Sequence, residues 1–279
     1  MQKRNQKIDD LDIVEFGALQ NGPRVIFLHG GPGAYGYMET FCHSFSSYCN
    51  AVYYEQRGSK QGDYNIGVED HIRDLGRVVD HYSQESKPII VGHSWGSMLA
   101  VLFAGRRSES LKKVILTGCG PLNKTQGDEF LQTLNVRFGD KKDYYDRLWD
   151  AIDEEKDELK QQSLANKYID NIMEIYQMDP NSGLEIQPRH WDYKGSYRTM
   201  CESDEYVSKN EHGKALEKIE TSLTVIHGTY DVLSPESLFR LVRKHVSHVK
   251  TYALERAGHY PWAGPRSDEF LKILKQEVT

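Results

Sequence analysis

The chain has 279 residues, 38% of them apolar and 27% charged, with a formal net charge of −6. This length supports one large α/β domain, or a core domain carrying an insertion, and is ample for a full hydrophobic core. The acidic balance excludes a general nucleic-acid binder, which needs a basic face to displace counterions from phosphate.

No window approaches the roughly eighteen consecutive apolar residues of a membrane span, and the opening MQKRNQKIDD has no apolar stretch of signal-peptide type. A cytoplasmic protein without a membrane partner is expected, either a monomer or a small homo-oligomer. Cys42, Cys49, Cys119 and Cys201 show no CxxC spacing, and no histidine sits in an HExxH pattern. Free thiols, no metal and no cofactor are therefore expected.

Taken in chain order, strands are expected at residues 12–16, 24–28, 51–55, 88–91, 113–117, 223–227 and 249–254, mostly β-branched or aromatic runs bounded by Gly or Pro. Between them, Val68, Ile72, Leu75, Val79 and Tyr82 keep one apolar stripe over several helical turns, and Met98, Leu99, Val101 and Leu102 do so after residue 94. This alternation predicts an α/β fold with a mostly parallel sheet flanked by helices.

The alternation stops between residues 121 and 206. No convincing strand appears there, and residues 140–160 are about two-thirds charged with mixed signs, as solvated helix faces are. Trp149, Ile152, Leu159 and Leu164 offer only a thin apolar stripe. Strand and helix signals resume at Leu223. The expected division is a core in two parts, residues 1–120 and 207–279, with a helical lid inserted at 121–206. In the second part, Ser234 and Pro235 suit a helix start, and another helix opens near Ser267, where Asp268 and Glu269 complement the positive end of its dipole.

Ser94 stands at the centre of Gly92, His93, Ser94, Trp95 and Gly96, directly between an expected strand and an expected helix. A strand that turns at once into a helix holds the turn residue in a strained conformation and pushes its side chain out at the strand end, while the flanking glycines let backbones pass closely. A capping serine in a glycine-rich turn would produce the same five letters. As a nucleophile, Ser94 needs a base to take its proton and a third group to orient that base.

Two other strand-end loops supply such groups. Asp231 follows the strand at 223–227 through Gly228, Thr229 and Tyr230, and His259 follows the strand at 249–254. The loop after 113–117 carries no carboxylate, so Asp231 is the better orienter. A fourth strand-end loop, His29 to Gly33, exposes backbone, and an oxyanion hole is assigned to the N–H groups of Gly31 and Trp95.

Together HGGPG at 29–33, EQRGS at 55–59, GHSWGS at 92–97, HGTYD at 227–231 and AGHYPW at 257–262 resemble the α/β-hydrolase superfamily, specifically its proline iminopeptidase-like branch. The resemblance covers both core segments and leaves the lid uncovered. It implies an eight-stranded α/β-hydrolase fold with Ser94, Asp231 and His259 as triad. It also implies an aminopeptidase that binds a free, charged N-terminus with lid glutamates, for which Glu202 and Glu205 are candidates. The chain departs from the branch at Glu55, where an aspartate is usual, at His93, where a second glycine is frequent, and at Val232, which follows the triad aspartate where an acid sometimes stands.

The expected function is a cofactor-independent serine hydrolase acting on a small molecule or short peptide, with a proline iminopeptidase-like aminopeptidase placed ahead of an ester, lactone or C–C bond hydrolase. A catalytically silent small-ligand-binding protein of the same fold is the alternative from another class.

Overall fold

The computed structural model describes residues 3–17, 22–59, 65–84, 86–179 and 190–279. An antiparallel pair, β1 (Lys3–Ile8) and β2 (Leu11–Phe16), begins the chain. There follow β3 (Arg24–Leu28), the two-residue β4 (Ala34–Tyr35), α1 (Met38–Phe45), β5 (Asn50–Tyr54), α2 (Val68–Tyr82), β6 (Ile89–His93), α3 (Trp95–Arg107) and β7 (Lys113–Thr117). After a helical stretch come β9 (Ser222–Gly228), α9 (Pro235–His245), β10 (Lys250–Leu254) and α10 (Ser267–Val278). The main sheet has eight strands in the order β1-β2-β5-β3-β6-β7-β9-β10, parallel from β5 onwards.

Helices cover both faces, so the central strands are apolar along their whole length. In β3, Val25 and Phe27 join one core with Phe41 of α1 and Phe270 of α10, while Ile26 and Leu28 join the other with Leu75 of α2 and Leu99 of α3. All four strand residues are fully buried. Successive side chains leave a strand on opposite faces, and each one buried here contributes roughly 1.5–3 kcal/mol. The β1 strand is different. Of its six residues only Ile8 is buried, which is why no apolar pattern announces it.

The stretch between β7 and β9 carries α4 (Lys124–Phe138), α5 (Lys142–Glu154), α6 (Glu158–Tyr176), α7 (Tyr193–Ser208) and α8 (Glu211–Leu216). Asn123, Asp157 and Asp192 cap α4, α6 and α7 by accepting the amide hydrogens of Gln126, Lys160 and Gly195. The expected end of the lid at residue 206 falls inside α7. The expected absence of strand is also corrected, since β8 (His190–Trp191) pairs with β4, a bridge too short to leave a pattern. The lid packs through Leu148, Ile152, Ala165, Ile169, Ile172 and Met173, whereas Leu159 is 76% exposed and takes no part in that contact.

Candidate active site

The turn from β6 into α3 sets the site. Ser94 lies at φ 53° and ψ −119°, a conformation costly for any residue with a Cβ. The packing around it explains the flanking glycines. A Cβ on Gly92 would collide with the carbonyl oxygen of Gly96, and one on Gly96 with that of Leu28 in the neighbouring strand. Ser97 and Thr117 brace the same turn, both hydroxyls donating to the Gly92 carbonyl, at 2.7 and 3.0 Å.

The structure brings Ser94, His259 and Asp231 together. His259 Nε2 lies 3.0 Å from Ser94 Oγ, and its Nδ1 lies 3.0 Å from each carboxylate oxygen of Asp231. The ring therefore donates from Nδ1 and leaves Nε2 free to accept the serine proton. Asp231 and His259 are buried and Ser94 is partly exposed. Burial pushes the Asp231 carboxyl upward, but His259 and His227 beside it and the Val232 amide outweigh this and hold it at about 2. It stays ionised across the neutral range.

Gly31 and Trp95 occupy the expected strand-end positions, Gly31 at φ 117° and Trp95 as the first residue of α3. The N-terminal amides of a helix have no partner within it, so the Trp95 N–H is available to an anion. The two loops are tied by a residue that sequence reasoning missed. Gln56 accepts from the Trp95 indole at 2.9 Å, donates to the His29 carbonyl at 2.8 Å, and gives its backbone N–H to His29 Nε2 at 2.9 Å. The EQRGS motif contained it, but nothing in its spacing indicates that bridge.

Glu202 and Glu205 sit elsewhere. Glu202 accepts the Val68 amide at 2.8 Å, at the start of α2, and pairs with Arg198 at 2.6 Å. Glu205 pairs with Lys209 at 2.7 Å on the exposed face of α7. In this structure Glu202 caps a helix and Glu205 forms a surface ion pair, and neither contact involves Ser94, Asp231 or His259. The residue beside Asp231, Val232, packs instead with Leu134, Phe138 and Tyr145 of the lid. The stretch between β7 and β9 meets the His259 loop at Tyr176, whose ring lies 4.8 Å from that of His259 and whose carbonyl accepts the His259 amide at 2.9 Å. Among the described residues no group of three His, Cys, Asp or Glu side chains could hold a metal ion, and no helix is long and apolar enough to cross a membrane.

Comparison with known proteins adds to this geometry. Residues 23–262 match the family described as the alpha/beta hydrolase fold. A probable aminopeptidase of Bacillus subtilis is 34% identical over 91 residues, 28% of each chain. A proline iminopeptidase of Arabidopsis thaliana is 24% identical over 88% of this chain and 64% of its own length. This chain thus spans less than two thirds of these two relatives. Among solved structures, an E-2-(acetamidomethylene)succinate hydrolase superposes with a TM-score of 0.67 at 16% identity, covering 99% of this chain and 98% of the other.

Proposed function

Because this chain belongs to the α/β-hydrolase fold family, we propose that its hydrolase activity runs through Ser94, with His259 as base and Asp231 as orienter. One observation carries the reading, the unbroken contact from Ser94 Oγ through His259 to the Asp231 carboxylate. In the first step Ser94 Oγ bonds to the substrate carbonyl carbon while its proton passes to His259 Nε2. The negative charge that gathers on the carbonyl oxygen is met by the N–H groups of Gly31 and Trp95, each worth about 2.7–4 kcal/mol in the transition state. His259 then protonates the leaving group, and a water molecule, giving its proton to the same nitrogen, releases the acyl group from Ser94.

The surroundings favour an uncharged acyl group. Both glutamates that would hold an ammonium have other partners, and Val232, next to Asp231, packs with Leu134, Phe138 and Tyr145 instead of offering a further acid. An ester-type acyl hydrolase is the reading these contacts support. The second reading, removal of an N-terminal proline, is favoured by the proline iminopeptidase among the relatives. Assay of a short acyl ester against a proline arylamide separates them. Clear turnover of the ester with none of the arylamide is the expected result; the reverse overturns the ester reading.

A further inference from the structure

His93, one of the positions where the chain departs from the branch it resembles, is fully buried behind Ser94 and joins two catalytic loops. Its Nε2 lies 2.9 Å from the His259 carbonyl oxygen and its Nδ1 lies 2.8 Å from the Tyr37 hydroxyl. A carbonyl only accepts, so Nε2 carries the proton and Nδ1 accepts from Tyr37. The Tyr37 oxygen in turn accepts the Gly30 amide at 2.5 Å. The result is a directed chain, Gly30 N–H to Tyr37 O–H to His93 to the His259 carbonyl. One end lies beside Gly31, a proposed oxyanion donor, and the other is the backbone of the base itself.

We propose that His93 and Tyr37 are positioning residues that fix the oxyanion loop relative to His259, an arrangement that a glycine at position 93 cannot make. This rests on the serine hydrolase reading given above. Donors and base act on one reacting carbon, so a displacement of about 1 Å between them costs on the order of 100-fold in rate. Both groups keep the protonation the chain requires. Burial drives the His93 ring well below its usual titration range and raises the Tyr37 hydroxyl, so the first stays neutral and the second protonated. The rings of Tyr260 and Trp262 pack against the His93 ring, with centroids at 4.7 and 4.6 Å.

The test uses the full chain and an activated acyl ester. Tyr37→Phe removes one oxygen and His93→Leu removes both ring nitrogens, while His93→Gln keeps an acceptor and a donor spaced much like the two nitrogens. Loss of about 10- to 100-fold in kcat is expected for the first two, with KM within about twofold, and recovery to within about threefold of the parent for His93→Gln. A merely structural role would not produce that split between kcat and KM or that rescue. Turnover within about twofold of the parent for both Tyr37→Phe and His93→Leu overturns the proposal, as does His93→Gln as slow as His93→Leu. Ser94→Ala is run alongside. Full activity in Ser94→Ala would remove the serine hydrolase reading itself, whereas an inactive Ser94→Ala beside a fully active Tyr37→Phe and His93→Leu removes only the positioning role.

Discussion

The strand ends of the sheet and the helices of the lid hold their residues by different means. At the strand ends, backbone meets backbone. Gly92 and Gly96 sit where a single added carbon would strike a carbonyl, Ser94 and Asp231 follow strands whose apolar residues are buried, and His259 follows β10, in which Leu254 alone is buried. The lid instead exposes large apolar side chains such as Leu131, Val136 and Leu159 beside its buried ones, and its helices carry local surface pairs such as Lys142 to Asp146 and Lys209 to Glu205. Exposed pairs of that kind are screened by water and salt and add little to stability. Positions set by close packing tolerate few residue types, and positions set by solvated pairs tolerate many. Gly92 and Gly96 stand at positions of the first kind, and Glu205 and Lys209 at positions of the second.

The sharpest way to break this contrast is Gly96→Ala. The added methyl meets the Leu28 carbonyl, so either the elbow or the β3 strand must shift, and a loss of ~3 kcal/mol or more is expected in denaturant unfolding. A loss under about 1 kcal/mol would mean the strand ends are as yielding as the lid.

Acid separates the two regions next. His212, in α8, is buried, and burial lowers its pKa to about 4 from an ordinary value of 6.5. Between those values the unfolded chain binds a proton that the folded chain does not, so stability falls as pH drops through this window, by as much as ~1.4 kcal/mol per pH unit. The contribution is present above pH 6.5 and exhausted below about 4. Burial also lowers His29, His71, His93 and His227, so His212→Leu should lessen the slope in this window without abolishing it, and an unchanged slope would mean that His212 contributes nothing to it.

Smaller effects are expected where the lid touches the site. Gln177 donates to the Tyr260 carbonyl at 3.0 Å, next to His259, the proposed base. Gln177→Ala should lower kcat/KM by about fivefold, the equivalent of one ordinary hydrogen bond at ~1 kcal/mol. The smallest effect belongs to Glu205→Gln, expected to change KM for the ester less than about twofold. A tenfold loss on the arylamide alone would restore the amine cradle and the peptidase reading with it.

Much of the core was legible because its signals are local. Seven strands stand within a residue or two of their apolar runs, Ser234 caps α9 as its sequence context implies, and the strand-end loops carry Ser94, Asp231 and His259. What was not legible depends on residues far apart in the chain. His93, Tyr37 and Gln56 obtain their partners only when separate loops meet, and no periodicity encodes that. The lid glutamates show the same limit from the other side. The family resemblance implied a cradle, and the sequence did not reveal that the Val68 amide, Arg198 and Lys209 are the partners of those carboxylates. The β1 strand escaped notice because an edge strand with one buried residue carries no alternating pattern.

The most direct test of the account is covalent labelling of the folded protein by a fluorophosphonate, with the modified residue located by mass spectrometry. Rapid labelling at Ser94, absent in Ser94→Ala and at least about 100-fold slower in His259→Ala, is the predicted result. A folded protein whose Ser94 stays unlabelled, or labels equally fast without His259, would contradict it.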